Sequence, residues 1–328
     1  MWKQALSTMP QVDKNQWHDL DWISKWLLST RAAVLIMTFM AAALAGLIAW
    51  RDDAFSPLVW SVTTLALILA HATNNLINDL IDSKKGVDKN NYYRNQYGVH
   101  VIEDKLMSMR TFWHMLLLTG GVAIALGLYL VYLRAGITLE LMLVGAFFVL
   151  FYTWPLKYYG LGEPAVLLVW GPLMIGGTYY VTTGYWSWPV TWLSVLFALG
   201  PTTVLFGKHT DKLASDKQKK VNTLPVIIGE KAARYSVSIM MVMQYILSIV
   251  LVVFGVFHWA LLLVLVNIPN LINTISIFNQ PKPEQAPADY EPGAWPLWFS
   301  AYAFVHNRKF AGLFILGVLV DVMVTKIK

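Results

Sequence analysis

The chain has 328 residues, of which 57% are hydrophobic and only 13% are charged. Soluble globular proteins carry about 25% charged residues, so this composition excludes a chain whose surface faces mainly water. The formal net charge is +6, but the basic residues fall in short connections between apolar runs, which indicates a membrane protein and no nucleic-acid partner.

Residues 1–30 precede the first apolar run and are polar and mixed in charge, unlike a secretory signal. We predict that they form an interfacial N-terminal segment. Within it, residues 17–28 place Trp22 and Trp26 on one helical face, the pattern of tryptophans that lie at headgroup level.

Nine apolar windows then follow, each close to the length of about 17–25 residues that crosses a bilayer. Their alternation with basic connections follows the positive-inside rule and predicts that the N-terminus and the basic loops are cytoplasmic. Nine crossings put Lys326 and Lys328 on the other side, which counts against the short ninth window. The predicted spans are 32–50, 57–77, 111–133, 138–154, 164–183, 188–206, 235–257, 259–278 and 311–326.

We therefore predict an all-α fold. Residues 1–328 would form a single transmembrane domain, a bundle of about nine helices around a central cavity, with its acidic motifs at the cytoplasmic ends. A stretch rich in proline predicts a loop over residues 279–310.

The second predicted span ends in the polar run HATNNLINDLIDSKKGVD. On a helix that advances about 100° per residue, the side chains of His71, Asn75, Asn78, Asp79 and Asp82 share one stripe roughly 100° wide. Ionisable groups at membrane depth are costly and usually functional. Carboxylate and amide oxygens suit Mg²⁺, which completes its shell with water and substrate phosphates. The stripe therefore predicts a diphosphate substrate bridged by magnesium.

A second acidic site follows the sixth span, where Asp211 and Asp216 lie among lysines that include Lys212. Carboxylates could hold a metal ion while lysines meet phosphate oxygens. The two aspartates are about 140° apart on an ideal helix, so either the helix is irregular there or only one of them binds metal directly. We expect the two acidic sites to face each other across one cavity. That arrangement suits allylic diphosphates, because metal ions make diphosphate a better leaving group.

These motifs resemble those of a known family. The run HATNNLINDLIDSKKGVD resembles the first Asp-rich motif of the UbiA superfamily of intramembrane prenyltransferases, with Asn78, Asp82 and Asp88 at its NxxxDxxxxxD positions. The segment DKLASDKQKKVNTLPVIIGE resembles the second motif, and YTWPLKYYGLGE is similar to the family's Tyr-and-Lys loop. Together with residues 160–181, the first motif looks most like the menaquinone-pathway branch, which prenylates 1,4-dihydroxy-2-naphthoate.

The resemblance implies a role for each matching residue in this sequence. The implied ligands of Mg²⁺ are Asn78, Asp79, Asp82, Asp88, Asp211 and Asp216. The implied catalytic residues are Asp79, Asp82, Asp211, Asp216 and Tyr152. The implied substrate-binding residues are Arg31, Asn75, Asn78, Lys157, Lys212, Arg94 and, on the acceptor side, Glu163.

The implied reaction is magnesium-dependent transfer of a prenyl group from a prenyl diphosphate to an aromatic acceptor. It would take place in a bacterial plasma membrane, with the prenyl tail among membrane lipid and the active site open to the cytoplasm. One alternative is another reaction of the superfamily: haem, chlorophyll or lipid prenylation, or terpene cyclisation. A cation-coupled transporter is the other, although transporters more often show broken helices in repeated halves. The sequence leaves the acceptor, the prenyl chain length and the oligomeric state open.

Overall fold

The computed structural model describes residues 1–87, 98–288, 290 and 295–327. These residues form helices and connecting loops and contain no β-strand, which confirms the all-α prediction. The helices are α1 Trp2–Ser7, α2 Lys14–Asp19, α3 Trp22–Ser29, α4 Ala32–Arg51, α5 Pro57–Lys84, α6 Met109–Arg134, α7 Thr138–Phe151, α8 Gly162–Thr183, α9 Trp188–Asp211, α10 Leu213–Gln218, α11 Leu224–Ile228, α12 Glu230–Val253, α13 Trp259–Phe278 and α14 Phe299–Ile327.

Each of the nine predicted spans overlaps one of these helices. Among the described residues, seven helices are long and apolar enough to cross a membrane, namely α4, α6, α8, α9, α12, α13 and α14. Helix α7 is apolar but has only 14 residues. Helix α5 has 28 residues and carries the polar stripe in its C-terminal half. The chain is therefore an integral membrane protein, and a polar stripe interrupts the apolar surface of α5.

The ninth span differs from its prediction. Helix α14 begins at Phe299, so the prediction of a loop that continues to residue 310 is wrong at its C-terminal end. The first turns of α14 mix aromatic residues with His306 and Asn307, and this polarity hides the helix from a hydropathy reading. Both polar side chains are buried, which explains why a membrane helix tolerates them.

The structure separates into two compact units, the first from Met1–Ala43 and Ser56–Trp154, the second from Leu44–Phe55 and Pro155–Lys328. In the first unit, the short N-terminal helices contribute Trp17 and Leu27 to a core that includes Leu76 of α5 and Phe112 of α6. The helix predicted over residues 17–28 is largely present as α3. Its Trp26 donates a hydrogen bond to Thr119 of α6 at 2.9 Å, whereas Trp22 is exposed.

Helix α9 is the most buried of the seven apolar helices, since 72% of its apolar window lies inside the structure. It packs against α8, α12 and α14 of the second unit. Helix α8 widens into a π-helical segment over Val169–Gly176, which contains Pro172. Proline has no backbone N–H to donate, and the wider turn accommodates the missing hydrogen bond without ending the helix.

The second unit also contains a cluster that we call the helix-end network, formed by Arg51, Asp52, Tyr179, His258 and Asp321. Asp321 is fully buried and accepts from Arg51 at 3.2 Å and from the backbone N–H of His258 at 2.6 Å. Arg51 also pairs with Asp52 at 2.9 Å, and the hydroxyl of Tyr179 donates to Asp52 at 2.7 Å. The network thus ties the C-terminal ends of α4, α8 and α14 to the segment before α13.

Lys326 lies close to this network along α14. The sequence puts Lys326 on the side opposite the basic loops, where the positive-inside rule disfavours a cation. In the structure its ammonium forms an ion pair with Asp53, in the turn that follows α4. An acidic partner in the same unit accounts for a lysine at that end of the last helix.

Gly207 sets the distance between α9 and the start of α14. A Cβ atom at this position would lie 2.9 Å from backbone atoms of Phe299 and Ser300. Backbone atoms at the start of a packed helix cannot move aside as a flexible side chain can. Small residues at such positions let membrane helices approach closely, and only glycine fits here without a shift.

Gly207→Ala is therefore expected to lower the free energy of unfolding by about 1–3 kcal/mol, the usual effect of overpacking. Thermal melting of the detergent-purified protein measures it. The matched control is Gly312→Ala on α14, where an added Cβ meets nothing within 4 Å. Alanine favours the helix by up to about 1 kcal/mol over glycine, so the control should melt no lower than wild type. Equal melting of both variants would contradict the close approach.

Candidate active site

The polar stripe of the first unit lies on α5, which continues without a break to Lys84. This confirms that the second span is helical through residue 82. Asp79 is 1% exposed, Asp82 5% and Asn75 7%, so these three side chains of the stripe are buried, whereas His71 and Asn78 are half-buried. Burial of two carboxylates near the end of a membrane helix is costly unless other groups or ions compensate them.

Arg31 provides part of that compensation. Its guanidinium forms an ion pair with Asp79 and donates to Asn78 Oδ1 at 3.2 Å. Arg31 joins α3 to α4 with a left-handed backbone, at φ 56°, a conformation that costs a non-glycine residue free energy. The sequence predicted that Arg31 binds substrate. The structure adds that it already contacts two of the predicted metal ligands.

The amide groups of the stripe attach α5 to its neighbours in the first unit. Asn78 donates through Nδ2 to Thr153 Oγ1 at 3.1 Å, which leaves its Oδ1 facing Arg31. Asn75 donates to the carbonyl of Thr30 at 2.8 Å. The predicted substrate-binding residue Asn75 therefore has a structural contact as well. Sequence analysis missed Thr153, although it directly follows Tyr152 in the recognised Tyr-and-Lys loop.

His71 lies one turn before Asn75 on the same stripe. Its Nδ1 is 2.8 Å from Thr38 Oγ1 on α4, a contact that fixes the position of α4 against α5 within the first unit. From His71 the stripe continues along α5 to Asp82, two residues before the helix ends at Lys84. The contact with Thr38 is consistent with a packing role for His71.

The remaining predicted residues of the Tyr-and-Lys loop fall in different units. Tyr152 is half-buried and follows the last residue of α7. In the second unit, Lys157 lies in a short 3₁₀ turn, with its ammonium 5.7 Å from the ring of Tyr158. Asp88 and Arg94 lie outside the described residues.

The second acidic motif spans a break between helices. Helix α9 ends at Asp211, Lys212 interrupts the helix, and Asp216 lies on the short helix α10. The five-residue spacing of the two aspartates allowed two explanations. The structure shows the first of them, because the helix is irregular between Asp211 and Asp216. Asp216 is 4% exposed, and its carboxylate lies 3.9 Å from the ammonium of Lys212.

Asp211 makes contacts that the sequence did not reveal. Its two carboxylate oxygens accept from the backbone N–H groups of Phe299 at 3.0 Å and Ser300 at 2.9 Å, at the start of α14. The ammonium of Lys282 lies 3.7 Å away. Burial lowers the pKa of Lys282, and the carboxylate of Asp211 beside it opposes that effect. Because Lys282 lies in the proline-rich loop, no local pattern linked it to the motif.

Glu163 contacts the same helix as the second motif. Its carboxylate lies 2.6 Å from Nδ1 of His209 on α9, and both side chains are buried. The other oxygen of Glu163 accepts from the backbone N–H of Leu224 at 3.4 Å. Glu163 was predicted on the acceptor side of the substrate. His209 was missed as a functional candidate, although it lies two residues before Asp211.

The sequence profile of the UbiA prenyltransferase family matches residues 39–290 of the chain. The chain belongs to the UbiA prenyltransferase family. The resemblance of the Asp-rich motifs to this family is thereby confirmed. The matched region includes both acidic motifs and the Tyr-and-Lys loop, but begins after Arg31.

Two relatives of known name are similar to the chain in sequence. The chain is 25% identical over 228 residues to UbiA prenyltransferase domain-containing protein 1 homolog of Drosophila melanogaster, an alignment that spans 67% of this chain and 60% of that protein. It is 28% identical over 261 residues to 2-carboxy-1,4-naphthoquinone phytyltransferase of Synechocystis, which spans 77% of this chain and 81% of that protein. The chain thus spans less than two thirds of the Drosophila relative.

A solved UbiA homologue has the same fold. The UbiA homologue from Archaeoglobus fulgidus bound to GPP and Mg²⁺ matches with a TM-score of 0.56 and 15% identity. The match covers 89% of this chain and 99% of that chain. At this identity the likeness shows the fold alone.

The first UbiA motif has a donor set that suits Mg²⁺. Asn78, Asp79 and Asp82 offer one amide and two carboxylates on one helix face, and Mg²⁺ typically takes one or two carboxylates plus water and phosphate. No group of three or more His, Cys, Asp or Glu side chains within the described residues is arranged to hold a metal ion. Magnesium would therefore need oxygens from the substrate or water, as is usual for this ion.

Proposed function

We propose that this chain is an integral-membrane prenyltransferase that moves a prenyl group from an allylic diphosphate to an aromatic acceptor of the dihydroxynaphthoate type. The observation that carries the proposal is the contact of Arg31 with Asn78 and Asp79. It joins a cation that suits phosphate oxygens to oxygen ligands that suit magnesium. The name of the Synechocystis relative supports the class of acceptor, and the GPP and Mg²⁺ of the Archaeoglobus structure support the donor and the metal.

Asn78, Asp79 and Asp82 are the residues that would hold Mg²⁺, with Asp88 as a further ligand outside the described residues. When bound, the ion neutralises the departing diphosphate and makes it a better leaving group. A second ion at Asp211 and Asp216 stays a prediction from the sequence. The contacts of Asp211 lead to a different proposal in the next subsection.

Basic side chains are proposed to bind the diphosphate oxygens. Arg31 carries five N–H donors in a planar fork, so it can donate to phosphate while it keeps its contact with Asp79. Lys157 and Lys212 stay substrate-binding candidates predicted from the sequence, and Arg94 is a further candidate outside the described residues. Arg31 would hold the diphosphate head while the prenyl tail lies among membrane lipid.

The acceptor side of the reaction is assigned to two groups. Tyr152 is proposed to lie near the reacting carbon, where its ring face would stabilise an allylic cation in a site that excludes water. The buried pair of Glu163 and His209 would hold the acceptor and take up the proton that its ring carbon loses. The electron-rich acceptor carbon first attacks the cation and forms the new C–C bond, and loss of the proton from that carbon then restores aromaticity and completes the transfer.

The test is an assay of the detergent-purified protein with a labelled prenyl diphosphate and a panel of aromatic acceptors. We expect a prenylated naphthoate and released diphosphate in the presence of Mg²⁺, no turnover after chelation, and recovery when Mg²⁺ is restored. Absence of both products with every acceptor would refute the proposal. Release of diphosphate with a cyclic hydrocarbon in acceptor-free mixtures would instead favour the terpene cyclase alternative.

We further propose that the chain lies in a bacterial plasma membrane with its acidic motifs on the cytoplasmic side, because the basic connections lie beside those motifs. The chain has no cysteine, so single cysteines report topology cleanly. Ala135 and Lys217 are both exposed in the structure, so a cysteine at either position can react with a thiol reagent on its own side of the membrane. In whole cells, an impermeant thiol reagent should therefore label Ala135→Cys on the outside and spare Lys217→Cys in the cytoplasm. Labelling of Lys217→Cys alone would reverse the assignment.

A further inference from the structure

The contacts of Asp211 indicate a role that differs from the one its motif implies. We infer that the second acidic motif takes no metal ion of its own: Asp211 caps the N-terminus of α14, and lysines provide the positive charge that a second ion would bring. The inference rests on the proposed function, since it concerns how many magnesium ions the prenyltransferase uses.

Asp211 is the acceptor for two backbone N–H groups at the start of α14. The first N–H groups of a helix have no partners within that helix. Both oxygens of Asp211 accept such groups, from Phe299 at 3.0 Å and from Ser300 at 2.9 Å. A carboxylate in this position also interacts favourably with the positive end of the helix dipole. A metal ion at Asp211 would have to compete with both hydrogen bonds.

The sequence around Asp211 is built for this contact. Gly207 precedes Asp211 by one helical turn, so the two residues share a face of α9. The missing side chain at Gly207 lets the start of α14 come within contact distance, because a Cβ there would lie 2.9 Å from its backbone. The aspartate one turn later then reaches the exposed N–H groups. The glycine and the aspartate thus act together as one docking feature for α14.

The charge of the motif is also balanced within the second unit. Lys282 lies 3.7 Å from Asp211, and Lys212 lies 3.9 Å from Asp216. Lys282 is held in place because its ammonium also donates to the carbonyl of Pro296 and lies 4.9 Å from the centre of the Trp295 ring. Each carboxylate therefore has an ammonium group within 4 Å, much as Asp79 of the first motif has the guanidinium of Arg31, so the helix cap made by Asp211 is what distinguishes the second motif.

The break in the helix places the two carboxylates on different helices. Asp211 is the last residue of α9, whereas Asp216 lies on α10, beyond the interruption at Lys212. Mg²⁺ demands near-ideal octahedral geometry and gives up its waters reluctantly. A motif with one carboxylate committed to a helix cap and the other beside a lysine is a poor ligand set for it. The first motif is then the one that binds the ion.

The experiment counts metal ions. Metal-free protein in detergent is titrated with Mn²⁺ in the presence of a prenyl thiolodiphosphate that does not react, and free Mn²⁺ is measured by electron paramagnetic resonance. The variants are Asp211→Asn, Asp216→Asn and Asp79→Asn. Asparagine keeps one of the two acceptor oxygens, so Asp211→Asn removes the charge of a ligand and retains one of the two hydrogen bonds to the start of α14.

We expect one Mn²⁺ per chain in the wild type, one in Asp211→Asn and in Asp216→Asn, and none in Asp79→Asn. Two ions in the wild type that fall to one in Asp211→Asn would overturn the inference and leave the proposed function intact. No bound Mn²⁺ in the wild type would overturn the proposed function, and the inference with it.

Thermal melting tests the cap directly. Asp211→Ala removes both acceptor oxygens and should lower the melting temperature clearly below that of Asp211→Asn. Lys282→Met keeps the length of the side chain and removes its charge, which should also lower the melting temperature. A melting temperature of Asp211→Ala equal to wild type would overturn the capping role whatever the metal count.

Discussion

Replacement of Asp79 or Asp82 by asparagine is expected to lower the rate of prenyl transfer by more than about 100-fold. Loss of a group that only supports a metal ligand typically costs 10–100-fold in metal affinity or activity, so loss of a ligand should cost more. Both carboxylates are buried on one face of α5, and Asp79 is paired with Arg31. The measurement is the initial rate of formation of prenylated product at saturating Mg²⁺ and prenyl diphosphate.

The matched control is Asp19→Asn, which removes an exposed carboxylate at the end of α2 in the same unit. It should retain the wild-type rate within about twofold, the change that about 0.4 kcal/mol produces. Gel filtration and circular dichroism establish that each variant is folded, which matters for Asp79 because its loss leaves Arg31 without that ion pair. Wild-type turnover in both Asp79→Asn and Asp82→Asn would refute the assignment of the first motif to metal binding.

The stripe on α5 was predictable because it follows local rules. An apolar run that turns polar on one helical face indicates a functional site wherever ionisable groups are expensive. The contact of Arg31 with Asp79 was not predictable in the same way. It depends on a left-handed backbone at Arg31 that turns the chain between α3 and α4, and no glycine or asparagine there signals such a turn.

The second motif shows the limit of reasoning from spacing. The five-residue separation of Asp211 and Asp216 correctly indicated an irregular helix, but it could not show where the carboxylate of Asp211 is used. That role depends on Phe299 and Ser300, 88 and 89 residues further along the chain. The same polarity that hid the start of α14 from a hydropathy reading concealed the N–H groups that Asp211 caps.

Buried pairs between distant residues were likewise hidden. Glu163 and His209 are 46 residues apart, and Arg51 and Asp321 are 270 residues apart. Each member of such a pair reads in isolation as a loop residue or a helix-end charge. Only the packed structure shows that a charge near the end of one membrane helix is neutralised by a residue from another.

Asp321→Ala is expected to lower the free energy of unfolding by about 3–5 kcal/mol, the usual cost of removing one partner from a buried ion pair. Asp321 is fully buried and accepts from the guanidinium of Arg51 and from the backbone N–H of His258. Its Oδ1 also lies 2.7 Å from the ring atom Nδ1 of His258. Loss of Asp321 removes one acceptor of the half-buried Arg51 guanidinium, which keeps Asp52 as a carboxylate partner, and the acceptor of the backbone N–H of His258. Because Asp321 lies 22 residues after Phe299, roughly 33 Å along the helix, the change should affect stability far from the acidic motifs.

The measurement is thermal or denaturant unfolding of the detergent-purified protein, with Asp53→Asn as the matched control. Asp53 also forms an ion pair, with Lys326, but its side chain is 89% exposed. Exposed ion pairs contribute about 0–1 kcal/mol, so the control should unfold almost as wild type does. Asp321→Asn is expected between the two, because it keeps one acceptor oxygen for the N–H of His258 but loses the charge that Arg51 requires. If Asp321→Ala unfolded like Asp53→Asn, the helix-end network would contribute no more than a surface contact, and the close association of α4, α8, α13 and α14 at that end would have to come from apolar packing alone.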